Sequence, residues 1–145
     1  MVQLIDPSGV FEEIYTIVKN SVEYDVFVAE IPEDDSLKYF DNGLMKPFTV
    51  LYFGGPIRAS KDHHLNDSSR DTTIIYVTVE CYAARAFDAI KSKGHIIDVL
   101  THSKGDDFTQ PILSGSMSYS RSSNTIRPTQ YVESFSVISY SNLSS

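Results

Sequence analysis

Apolar residues near the start of the chain keep a helical rhythm. Val10, Phe11, Ile14, Ile17 and Val18 recur at steps of three and four, which gathers them on one face of a helix. Asp6 suits a capping position and Pro7 the first helical position. Glu12 and Glu13 lie near the positive end of the helix dipole. The pattern predicts a helix over about 7–20. "YDVFVAE" (24–30) follows as a short strand candidate. Residues 31–47, broken by Pro32, Gly43 and Pro47, predict a loop.

The period then shortens. "FTVLYFG" (48–54) and "TTIIYVTVECY" (72–82) are rich in β-branched and aromatic residues and predict the clearest strands. In the second, Ile75, Val77, Val79 and Cys81 share one face. Ile74, Tyr76, Thr78 and Tyr82 share the other with Glu80. A strand apolar on both sides is expected in the middle of a sheet, with cover on each face. Residues 83–102 return to helical spacing, with a stripe at Ala83, Ala86, Phe87, Ile90, Ile97 and Leu100. Gly94 falls on that stripe, where it either admits close packing on the sheet or interrupts the helix. "GSMSYSRS" (115–122) and "QYVESFSVISY" (130–140) alternate again. In the latter, Tyr131, Phe135 and Val137 oppose Val132, Ile138 and Tyr140. Serines interrupt both patterns and predict half-exposed strands, or strands covered by a neighbouring copy. Residues 141–145 read as a frayed tail.

The order helix, strands, helix, strands predicts a single α+β domain over 1–145. Its sheet is mainly antiparallel and its two helices pack on one face. The second apolar face of the central strand then needs a loop or another copy over it.

Composition narrows the function classes. At 145 residues, with 41% hydrophobic and 21% charged residues, the chain suits one globular domain with a real core. One cysteine cannot form an internal disulfide, no apolar run reaches the length of a membrane span, and the first residues lack a signal-peptide pattern. The expectation is a protein of the cytoplasm, without a membrane partner. The net charge of −7 is uneven: residues 1–45 hold ten acids and two bases, residues 46–145 nine acids and ten bases. No dense Lys/Arg patch of a DNA-binding domain appears.

Candidate chemistry centres on "KDHHLND" (61–67). Neighbouring residues of an extended chain point opposite ways, so His63 and His64 are poorly placed to share a metal. His95 and His102 stand seven apart on the second helix, and the His at i and i+4 of a helical zinc site is absent. Cys81, on the aliphatic face of its strand, reads as core. "LSGSMS" lacks nucleophile-elbow spacing, and no phosphate-binding glycine motif occurs. "FGGPIRAS" suits a turn. The run Glu33-Asp34-Asp35 reads as solvated surface and Asp106-Asp107 as loop acids. Residues 60–71 are too long and polar for a tight hairpin, and read as a contact loop carrying His63, His64, Leu65, Asn66, Asp67 and Arg70. No cofactor is expected. An alternative reading is a small metal-dependent hydrolase using His63, His64 and Asp67.

The layout carries a resemblance. An N-terminal amphipathic helix leads to two strands joined by a long polar loop. Then come "YVTVECYA", the helix "AARAFDAIKSKGHIIDVL" and a closing "RPTQYVESFSV". Over roughly 7–140 this resembles the tail terminator proteins of long-tailed bacteriophages, although "LTHSKGDDF" matches the usual turn only loosely. The resemblance implies a virion structural protein rather than an enzyme. It would form a homo-hexameric ring at the head-proximal end of the tail, assembled in the host cytoplasm. It would stop growth of the tail-tube protein and join the head–tail connector, with DNA passing through but not tightly bound. Asp106 and Asp107 would be lumen or interface acids. The alternative within the same assembly is a connector or tail-tube subunit.

Overall fold

A computed structural model describes residues 8–33, 36–58, 73–103, 105, 110–121 and 130–141. Two helices and five strands follow the chain order α1 (Ser8–Ser21), β1 (Val26–Val28), β2 (Phe48–Arg58), β3 (Thr73–Ala83), α2 (Ala86–Thr101), β4 (Ile112–Arg121) and β5 (Gln130–Ser141). The strands form one sheet in the order β1-β2-β3-β5-β4. β1 runs parallel to β2, and every other pairing is antiparallel. The expected α+β architecture is therefore present, with β3 in the centre.

Both helices pack on one face, as the sequence predicts. Val10, Ile14 and Val18 of α1 and Ile96 and Leu100 of α2 meet Leu51, Ile75, Val77, Val79, Cys81, Phe135 and Val137 of the sheet in one buried cluster. α1 lies over β2, where Phe11 stacks on Phe53 at 4.5 Å between ring centroids. The alternation read along β3 holds: Ile75, Val77, Val79 and Cys81 are each at most 1% exposed.

The second face is covered by the chain itself over one half. Met45, from the 31–47 segment, packs with Phe48, Val50, Tyr82 and Val132, flanked by Phe27, Ile31 and Leu37. Phe48 and Tyr82 stack at 4.6 Å. A segment rich in charge and turn residues thus acts as a lid. Gly43, at φ 86°, makes the turn that returns the chain to Met45, and Tyr39 pairs with Met45 across it.

Three expectations are corrected. β2 does not turn at Gly54-Gly55-Pro56 but runs on to Arg58. Its pairing with β3 shifts between Gly54 and Ile57, and this irregularity accommodates a proline that has no N–H to donate. The 24–30 strand shrinks to three residues, because Ala29 takes a left-handed φ of 61° and ends it. Finally, α2 starts at Ala86, since Ala83 still belongs to β3. The helix is also rotated from the predicted stripe: Ala89, Ile96 and Leu100 are buried, while Phe87 and Ile90 are 84% and 49% exposed and Gly94 is exposed. The physical cause is Lys93. It occupies the sheet-facing stripe between Ala89 and Ile96, where its ammonium meets Glu133 of β5 at 3.0 Å. A hydrophobicity pattern passes over a lysine, so it misplaces the buried face. Of the expected frayed tail, Ser141 belongs to β5 and 142–145 lie outside the described residues.

Candidate interaction surface

The residues singled out for partner contact or metal binding, His63, His64, Leu65, Asn66, Asp67 and Arg70, lie outside the described residues, as do Asp34, Asp35, Asp106 and Asp107. Glu33 is exposed. The two remaining histidines are apart and separately engaged. His95 Nε2 lies 2.7 Å from the Ser21 carbonyl and ties α2 to the end of α1. His102 Nδ1 lies 2.8 Å from the Asp98 carbonyl, at the C-terminal end of its own helix. Among the described residues no three His, Cys, Asp or Glu side chains converge as metal ligands. Cys81 is fully buried on the helix-covered face, and burial pushes its thiol up to about 12 despite a hydrogen bond from Thr49. A protonated, enclosed thiol is core, as expected.

Sequence reading missed one polar element inside the fold. Lys93 Nζ bonds both Glu133 at 3.0 Å and Ser116 Oγ at 3.0 Å, so it joins α2 to β5 and β4 at once. Glu133 stands in a strand of serines and hydrophobic residues, and only its burial identifies it as a structural partner.

Two adjoining hollows flank the lid. One, of about 390 Å³, is lined by residues including Tyr24, Asp25, Lys38, Phe40, Lys46 and Phe48. The other, about 490 Å³, reaches across Tyr24 and Phe40 to Asp88, Lys91 and His95. Lys38 pairs with Asp25 at 2.9 Å and Lys46 sits over the Phe40 ring at 5.5 Å. The Lys38–Asp25 pair is open to solvent, so it adds little to stability.

The larger feature is apolar surface that the described chain leaves open. Residues directly opposite across a ladder point to the same side of the sheet. Ile112 opposes Ile138 and Met117 opposes Ser134, so both lie on the second face with Tyr140 and Tyr76. Ile112, Met117 and Tyr140 are 59%, 63% and 39% exposed, and none of them belongs to the cluster under the 31–47 lid. Leu113 opposes Val137 on the helix-covered face, yet it is 44% exposed. Phe87 and Ile90 are exposed on α2, which packs on the other face of the sheet from Ile112 and Met117. His95 holds that helix against α1, and Lys93 reaches down to Ser116. Apolar area gathered at one end of a sheet is the mark of a binding surface rather than of scattered exposure. Pattern reading along β4 pointed to half-exposure through its serines, but only the pairing register shows which side chains gather.

No protein-family model matches the sequence, and a comparison with characterised proteins returns no match.

Proposed function

We propose that this chain is a structural subunit that assembles with its own copies into a closed ring, in the role of a phage tail terminator. In that role the ring ends the tail tube, offers the joint to the head and lets DNA pass through its hole. The observation that carries the reading is that the described residues leave part of the sheet uncovered. The 31–47 lid packs on one half of the second face, while Ile112, Met117 and Tyr140 remain exposed on the other. Neighbouring copies are the economical source of that cover. The element order and length, which resemble those of tail terminators, supply the particular role. The acidic balance of the chain, −7, also suits a conduit that must not hold DNA.

Mass measurement of the pure protein with electron microscopy tests the proposal. Discrete closed assemblies, six-membered on the terminator reading, support it. Long filaments made by this chain alone favour a tail-tube subunit instead, since the same kind of contact runs on when its rotation does not close. Monomers at every concentration refute assembly.

A further inference from the structure

We propose that residues 1–7 fold back along the first turn of α1 and seat Leu4 and Ile5 in an apolar hollow between α1, β1 and β2. The contact lies within one copy, so it forms whether or not copies assemble.

The hollow has a volume of about 300 Å³, and its walls come from three elements. Ser8, Phe11, Glu12 and Tyr15 stand at i, i+3, i+4 and i+7, so they share one side of α1. Phe53 of β2 lies against them, stacked on Phe11 at 4.5 Å between ring centroids. Val28 of β1 opposes Leu51, a member of the core under the helices, and so faces the same side of the sheet. Yet Val28 is 42% exposed, against 8% for Val26 two residues earlier. The described chain covers the start of this apolar row and leaves its end open.

The chain itself supplies an occupant. Its described part begins at Ser8, and Ser8 lines the hollow. The residues before it read "MVQLIDP", in which Met1, Val2, Leu4 and Ile5 are apolar and no side chain before Asp6 is charged. Ile5 and Leu4 stand three and four residues from Ser8, so an extended backbone carries them no farther than about 10–14 Å from it. Side chains of an α-helix lean toward its N-terminus, which turns Phe11 and Tyr15 toward the incoming segment. With Asp6 at the cap and Pro7 at the first helical position, Ile5 takes the place from which an apolar side chain packs back on the first turn. A tether this short also holds the segment at an effective concentration of about millimolar, which a separate chain must match to compete. Seated there, Leu4 and Ile5 cover Val28 and Phe53 and fasten the start of α1 to the sheet.

Two measurements on the full chain test the seat. Nuclear Overhauser contacts are recorded on protein labelled at its Ile, Leu and Val methyl groups. Methyls of Leu4 or Ile5 should show contacts to the Phe11 and Phe53 rings or to Val28. Their absence overturns the proposal. So do contacts that arise only between labelled and unlabelled copies in a mixture, because they put a neighbour's segment in the hollow. Urea unfolding is then compared for Leu4→Ser/Ile5→Ser, for Val28→Ala and for all three changes together, with circular dichroism to check folding. The segment variant should lower the folding equilibrium constant roughly tenfold or more, the scale of returning one aliphatic side chain to water. In the Val28→Ala background the same change should cost less, since the hollow has already lost a wall. A segment variant as stable as the parent, or losses that add without coupling, places Leu4 and Ile5 elsewhere and overturns the seat.

Discussion

Replacing Lys93 by methionine should destabilise the protein by about 3 kcal/mol, although it puts an apolar residue into an apolar stripe. The ammonium lies 3.0 Å from the Glu133 carboxylate, and the two side chains are 16% and 8% exposed. At that separation and an effective dielectric near 20, the attraction is worth about 5 kcal/mol. Withdrawing two charges from water costs a similar amount, so the intact pair is close to neutral in net stability. Removing the lysine alone abolishes the attraction and leaves the carboxylate desolvated. Breaking one side of a buried pair costs about 3–5 kcal/mol, and the residual access at Lys93 argues for the lower end. Changing both partners, Lys93→Met with Glu133→Leu, removes the charge entirely and should return stability to within about 1 kcal/mol of the parent. Urea unfolding followed by circular dichroism measures all three proteins. A Lys93→Met variant as stable as the parent would mean that water already solvates Glu133. Apolar packing alone would then set the rotation of α2. A double variant as unstable as the single would place the loss in packing rather than charge.

Two further outcomes follow from the buried groups. Cys81 should resist thiol reagents in the folded protein and react only on unfolding. Its folded pKa, raised from 9.0 to about 12, also means that the unfolded state gives up the proton first, so stability falls as pH climbs through that window, which alkaline urea melts would measure. Met45→Ala should cost about 2–5 kcal/mol despite its place in an irregular segment, because Met45 is 2% exposed and pins the lid to the second face; a loss under about 0.5 kcal/mol by thermal or urea unfolding would show that the lid is dispensable.

Local periodicity was enough to establish the elements and the class. The helical steps of Val10, Ile14 and Val18, and the alternation of Ile75, Val77, Val79 and Cys81, are properties of neighbours in the chain. A helix or strand must turn such residues to one side wherever it lies, and these positions are buried as predicted. The apolar second face of β3 likewise announced that cover was needed. Tertiary structure decided what periodicity cannot encode. It supplied the lid from a segment whose charges and prolines read as plain loop, because one methionine packs where a sequence pattern expects a stripe. It rotated α2 so that a lysine faces the sheet, because the partner that makes such burial tolerable, Glu133, stands 40 positions away in sequence. It placed exposed Ile112, Leu113 and Met117 on the outermost strand, through a strand order in which β5 inserts between β3 and β4. Sequence spacing fixes which residues share a face of one element. Which elements become neighbours, and which edge is left open, depends on long-range pairing, and each local pattern is compatible with many such pairings.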